Sequence, residues 1–180
     1  MKENRIPGDL TKDQMIERII RVNHAGEYGA KQIYRGQMAV LKDSDCYNQL
    51  QHMAEQEDKH LEYFSDQVAK RKVRPSALLP LWHIAGYALG ATTALMGKKA
   101  AMACTVAVED AIEEHYSSQL TELDNDESEL KQKINNFRQE EMEHRDIGIE
   151  NGAETSPLYS LLYTSIKTGS KIAIWLAKRV

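Results

Sequence analysis

Proline stands at only four positions in this chain, 7, 75, 80 and 157. Inside a helix proline removes a backbone hydrogen bond and clashes with the preceding turn, so the two long windows without it favour long helices. No window alternates apolar and polar residues with a period of two, and no strand is predicted. Thr11-x-x-Gln14 reads as a capping box that opens a helix running to about Lys42. Asp43-Ser44-Asp45 is a break that offers three candidate caps for a second helix, to about Arg71. After Pro75 an apolar stretch leads into a helix from about Lys98 to Leu123. The polar turn Leu123–Asp126 precedes a helix from Glu127 to about Ile147, which Gly148 and Gly152 are expected to end. A last helix follows Pro157. The expectation is one all-α domain over residues 1–180: a four-helix bundle of two helix pairs (11–71 and 98–147), an apolar crossover helix within 75–97, and a C-terminal helix.

Charge and cysteine usage exclude several classes. The 23 Lys and Arg against 27 Asp and Glu give a net charge of −4, which excludes a general nucleic-acid binder, and 42% apolar residues exclude a disordered chain. Cys46 and Cys104 stand alone, with no C-x-x-C, so neither a disulfide framework nor a rubredoxin-type or zinc-ribbon centre is expected. The N-terminal MKENRIPGDLTKDQ has neither the apolar core of a signal peptide nor the acid-poor character of a mitochondrial presequence. Retention in a cytoplasm and removal of a presequence both fit.

The chemistry lies in the acidic residues that fall on apolar helix faces. Residues three, four and seven apart share a face of a helix. By that rule Glu27 lies among Ile16, Ile20, Ala30 and Tyr34, and Glu57 among Leu50, Met53, Leu61 and Phe64. Glu109 lies among Met102, Val106, Ile112 and Tyr116, and Glu141 among Ile134, Phe137 and His144. Two of the six histidines complete Glu57-x-x-His60 and Glu141-x-x-His144. Glutamate is 17 of 180 residues, so chance alone would give under one such pair. Four ionised carboxylates on core-facing stripes are very costly without compensation. No Lys or Arg on those stripes supplies it, whereas a metal would. The alternative is a bundle whose acidic stripe is solvated.

Spacing supports the metal. Glu27 and Glu57 are 30 residues apart, and Glu109 and Glu141 are 32 apart. With turns near Ser44 and Asn125, each glutamate sits roughly 20–25 Å from its turn at 1.5 Å per residue. Each antiparallel hairpin therefore brings a lone Glu level with a Glu-x-x-His. The pattern repeats at an offset of 82 residues for the lone glutamates and 84 for the motifs, an internal duplication of function-bearing positions. Four carboxylates and two imidazoles are the ligand set of ferritin-like di-iron and di-manganese proteins. Four negative charges with neutral imidazoles balance two divalent cations, and carboxylate with imidazole suits iron or manganese.

At these residues the chain resembles the demethoxyubiquinone hydroxylases, ferritin-like di-iron monooxygenases of ubiquinone biosynthesis. The resemblance rests on RVNHAGEYGAKQIYRGQ at 21–37, Glu57-Asp58-Lys59-His60, ACTVAVED at 103–110 and FRQEEMEHRDIG at 137–148, and it spans nearly the whole chain. It implies two iron ions held by Glu27, Glu57, His60, Glu109, Glu141 and His144. It implies that O2 and a polyprenyl quinone are the substrates, one oxygen atom entering the ring of demethoxyubiquinone or its quinol and the other leaving as water. It implies NADH as the electron donor, with His115 and Tyr116 beside the quinone as relay residues. Glu114 precedes that pair where some relatives have another histidine. The family also works beside a lipid-binding partner protein. Competing readings are a ferritin-like iron-binding protein, a rubrerythrin-type peroxidase, which the isolated cysteines disfavour, and a metal-free helical interaction module.

Residues 77–97 carry no charge over 21 positions, long enough to span a bilayer. A span there would place Glu27, Glu57 and His60 on the opposite side from Glu109, Glu141 and His144 and forbid a common metal site. Pro80, His83, Gly86, Gly90 and Gly97 also interrupt it. The stretch is therefore expected to touch a membrane surface or line a lipid-facing channel, with Trp82 and Tyr87 at the interface and Lys98-Lys99 at the headgroups. Trp175 and the basic C-terminus offer a second contact. A buried crossover helix or a subunit interface is the alternative. The expected location is peripheral, on the cytoplasmic face of a bacterial inner membrane or the matrix face of a mitochondrial one.

Overall fold

The computed structural model describes residues 9–180, so the first part of the N-terminal stretch read above for targeting signals, with Pro7, lies outside the described residues. Six helices run in the order α1 (Lys12–Val40), α2 (Tyr47–Lys70), α3 (Leu79–Leu95), α4 (Lys98–Glu122), α5 (Ser128–Glu150) and α6 (Tyr159–Ala177), with short 3-10 turns at Asn125–Glu127 and Ala153–Thr155. No strand occurs among the described residues. The protein is an all-α ferritin-like bundle.

The capping box forms as predicted. Thr11 Oγ1 accepts from the Gln14 backbone N–H at 3.2 Å, and the Thr11 N–H donates to Gln14 Oε1 at 2.9 Å. The second helix differs from expectation. It starts at Tyr47 behind Cys46, with no side-chain cap, because the Ser44 and Asp45 side chains bond to one another at 3.2 Å within the preceding turn. Gly148 does not end α5, which continues to Glu150. A Cβ on Gly148 would sit 2.8 Å from Val106 Cγ2, so this glycine lets α5 approach α4.

α1 and α4 are the central members. α1 packs on α2 and α3, and α4 on α5 and α6. From Ala100 to Glu109 every residue of α4 is buried, a run in which alanine is frequent. A helix enclosed on all sides needs such small side chains. Ile19, Ile20, Phe64, Leu130 and Ile134 fill one side of the core, and Leu50, Met53, Met102 and Val106 another.

The uncharged stretch forms α3, and its glycines have a packing role. Gly86 and Gly90 press against α1, where a Cβ on Gly86 would lie 2.8 Å from the Gly29 carbonyl and one on Gly90 would collide with the Ile33 carbonyl. Gly97, at φ +108°, makes the turn into α4. The other side of α3 is open: Leu81, Ile84, Tyr87, Leu95 and Met96 are exposed, Ile84 by 70% and Leu95 by 76%. No described helix is long and apolar enough to cross a membrane. Trp82 is half-buried and faces α1 and α6 rather than standing free. Gly90→Ala forces α3 away from α1 and is expected to cost roughly 1–3 kcal/mol, the usual range for overpacking. Chemical denaturation checks this, and an unchanged midpoint would contradict the close approach.

Candidate metal centre

The two hairpins bring all six predicted residues together in the middle of the bundle. Glu27 comes from α1, Glu57 and His60 from α2, Glu109 from α4, and Glu141 and His144 from α5. None is more than 1% exposed. Their ligand atoms form two overlapping groups, Glu27–Glu57–His60–Glu141 and Glu57–Glu109–Glu141–His144, each with all atoms within 4.8 Å of one another. Glu57 and Glu141 belong to both. His60 Nδ1 lies 3.3 Å from Glu141 Oε1 and 3.6 Å from Glu27 Oε2. His144 Nδ1 lies 3.2 Å from Glu141 Oε2, 3.3 Å from Glu57 Oε1 and 4.0 Å from Glu109 Oε1.

The polar atoms that face the middle have no hydrogen-bond partner. Both oxygens of Glu57 and of Glu141, one each of Glu27 and Glu109, and Nδ1 of both histidines are buried and unsatisfied. Native interiors rarely leave such atoms orphaned, and here eight converge on one point. The outward-facing atoms, by contrast, are anchored. His60 Nε2 meets Glu140 Oε2 at 2.5 Å and His144 Nε2 meets Gln56 Oε1 at 3.0 Å. Both acceptors call for a proton on Nε2, so Nδ1 is the ring atom that faces the middle and would ligate a metal once it gives up its own proton. Tyr34 donates to Glu109 Oε1 at 2.5 Å, and Tyr116 donates to Glu27 Oε1. The donor set fits two divalent cations of the oxygen- and imidazole-preferring kind, and these buried groups could hold a metal ion.

Burial and mutual proximity shift the protonation of the cluster strongly. Burial drives Glu27 and Glu109 well above the usual carboxylate range, and the neighbouring carboxylates push them the same way. Burial would also raise Glu141, but the adjacent His144 and His60 outweigh it and hold Glu141 ionised, well below that range. Burial works against a charged His144, yet the adjacent Glu141 and Glu57 push it up to about 11. His60 is raised further by Glu140, Glu141 and Glu27 against the same burial penalty. Protons on these groups offset carboxylate charge, and a bound cation would have to displace them.

Of the predicted relay pair, Tyr116 reaches the centre and His115 does not. His115 is partly buried behind Tyr116, the rings stacked at 6.5 Å, and its Nε2 lies 2.8 Å from Gln119 Nε2. Gln119 also exchanges two hydrogen bonds with Asn23, at 2.9 and 2.7 Å. Burial first, then the charges of Lys178 and Arg18, lower His115 to about 3, so it is neutral and accepts from the amide. Sequence reasoning passed over Glu140, Gln56, Asn23 and Gln119. Gln56 and Glu140 each stand directly before the glutamate of a Glu-x-x-His, separated by the same 84 residues as the motifs, and that offset could have found them.

An apolar cavity of about 370 Å³ is bounded by α1, α3, α4 and α6. Gly26 and Val108, the chain neighbours of Glu27 and Glu109, line its inner wall, and Trp82, Gly86 and Ile174 its outer wall. Gly26 and Gly29 face open space, with nothing within 4 Å of an added Cβ. The outer helices carry exposed apolar side chains, Ile84 and Tyr87 on α3 and Ile172 and Trp175 on α6.

A family model described as "Ubiquinone biosynthesis protein COQ7" matches residues 14–177. The chain belongs to this family. Among curated members of the COQ7 family, the 3-demethoxyubiquinol 3-hydroxylase of Rhodospirillum rubrum is 52% identical over 179 residues, covering 99% of this chain and 84% of that protein. The NADPH-dependent 3-demethoxyubiquinone 3-hydroxylase, mitochondrial, of Dictyostelium discoideum is 48% identical, covering 98% and 83%. The Homo sapiens protein of the same name is 48% identical, covering 92% and 78%.

Because the cluster holds protons that a cation must displace, metal binding is expected to release protons and to tighten as pH rises. The direction follows from the raised His60, His144, Glu27 and Glu109, which make the metal-free state the more protonated one. Anaerobic calorimetry of Co(II) binding in buffers of different ionisation enthalpy measures the release. An enthalpy independent of buffer would contradict it.

Proposed function

We propose that the protein is a di-iron monooxygenase that hydroxylates the ring of demethoxyubiquinone or demethoxyubiquinol with O2, giving demethylubiquinol in a late step of ubiquinone biosynthesis. The observation that carries this reading is the convergence of eight orphaned buried polar atoms from four carboxylates and two imidazoles in a bundle that also holds an apolar cavity. The names of the full-length relatives supply the reaction. Glu27, Glu57, His60, Glu109, Glu141 and His144 would hold the iron, and Glu57 and Glu141 belong to both groups of ligand atoms. When bound, reduced iron supplies activation of O2, which no side chain of this protein can provide.

The chain's own residues supply position, dryness and protons. The apolar cavity takes the quinone: its lining is almost wholly apolar, which suits a ring with an isoprenoid chain and keeps water from the reacting carbon. Gly26 and Gly29 leave the α1 wall open for the ring to approach the Glu27 side of the centre. Tyr116 holds Glu27, and Tyr34 holds Glu109, in fixed orientations by their hydroxyl groups. Tyr116, bonded to Glu27, is the candidate to pass an electron or proton to the centre. His115, fixed by Gln119 and neutral, supports the Tyr116 ring by stacking. The reductant is a nicotinamide nucleotide, NADH by the family resemblance and NADPH by the names of the Dictyostelium and human relatives.

The exposed apolar faces of α3 and α6 flank the outer wall of the cavity, so we place them against a membrane surface from which a polyprenyl quinone enters. That arrangement is peripheral, on the cytoplasmic face of a bacterial membrane or the matrix face of a mitochondrial one, and it leaves other surfaces for a lipid-binding partner protein. The single domain is built as an internal duplication, one half over 11–71 and the other over 98–147.

Anaerobically reduced, iron-loaded protein given a demethoxyubiquinone analogue, a reduced nicotinamide and ¹⁸O2 is expected to add one labelled oxygen atom to the ring, read by mass spectrometry. Glu57→Ala, Glu109→Ala and His144→Ala should each abolish that gain. Retained iron with no labelled product would reject the hydroxylase in favour of an iron-binding protein, and full activity in any of the three variants would reject the ligand assignment.

A further inference from the structure

We propose that the two halves of the centre are unequal: Glu140 makes the Glu27–His60 half the tighter metal site, and Gln56 leaves the Glu109–His144 half the weaker one. The inference rests on the dimetal reading above and concerns residues that stand outside the ligand set.

The surroundings of the cluster are matched almost pair by pair. Tyr34 stands seven residues after Glu27 and bonds across to Glu109, while Tyr116 stands seven after Glu109 and bonds across to Glu27. Both bridging glutamates serve both halves. Four residues before each bridging glutamate stands an apolar side chain, Met53 in one half and Phe137 in the other, both in the core. One residue before each stands the group that receives the Nε2–H of the opposite half's histidine. Here the match fails in charge. Gln56 gives His144 a neutral amide oxygen at 3.0 Å, and Glu140 gives His60 a carboxylate oxygen at 2.5 Å.

A charge-assisted hydrogen bond is shorter and roughly twice as strong as a neutral one. Electron density drawn toward the Nε2 proton from a carboxylate raises the donor strength of Nδ1 on the same ring. The added negative charge also favours a cation at that end of the cluster. Outer partners of this kind change metal affinity by roughly 10–100-fold. Glu140 is therefore a positioning residue that acts through His60. The side chain is 37% exposed, so Glu140→Gln removes the charge without opening a hole in the core.

The test is an anaerobic Co(II) titration followed by calorimetry and by the visible absorption of the bound ion. The wild-type protein should bind two ions in separate steps. Glu140→Gln should weaken the first step roughly 10–100-fold, and Gln56→Glu should tighten the second by a similar factor, so that each variant narrows the gap from the opposite end. The double variant Q56E/E140Q should restore the wild-type gap, a rescue that a merely structural role for either residue would not produce. A gap unchanged in either single variant, or a double variant that fails to regain it, overturns the inference while leaving the dimetal reading intact. No Co(II) uptake by the wild-type protein overturns both.

Discussion

Everything else in this structure answers to one constraint: four carboxylates and two imidazoles share the dry centre of a helical bundle. Ionised groups at such depth are very costly unless something opposes their charge. Burial raises Glu27 and Glu109, and the surrounding carboxylates raise the two histidines, so protons and a cation compete for the same atoms. With two divalent cations the charges cancel directly. Four of the six ligands are gripped from behind, Glu109 by Tyr34, Glu27 by Tyr116, His60 by Glu140 and His144 by Gln56.

The same constraint shapes the backbone. α4 carries Glu109 through the middle of the molecule and is built largely of small residues, so that four other helices can close on it. α3 leans on α1 through glycines, leaving one apolar face outward and, with α6, a cavity behind it that runs up to the chain neighbours of Glu27 and Glu109. An apolar substrate would thus meet the centre from the side, without crossing the polar ends of the bundle.

The helices and the six-residue cluster were legible because they follow from local rules. The capping box at Thr11, the polar breaks and the stripe positions of the four glutamates all depend on neighbours within one helix or one hairpin. What the sequence hid depends on how helices sit beside one another. The glycines of α3 looked like interruptions of an apolar run, and only the approach to α1 reveals them as contact points. Gly148 looked like a terminator because close packing of α5 on α4 is not written in either helix alone. The pairing of Glu140 with His60 and of Gln56 with His144 crosses from one half of the chain to the other, so no window of sequence contains it. His115 illustrates the reverse case. The family resemblance pairs it with Tyr116, but consecutive residues of a helix point about 100° apart, and of the two only Tyr116 bonds to the cluster.

The central claim is that the buried cluster is a two-metal site. Crystals soaked anaerobically in Fe(II) and measured at the iron absorption edge test it most directly. Two anomalous peaks are predicted, one among Glu27, Glu57, His60 and Glu141 and the other among Glu57, Glu109, Glu141 and His144. A cluster without an anomalous peak, in crystals that bind iron elsewhere or not at all, would contradict the account.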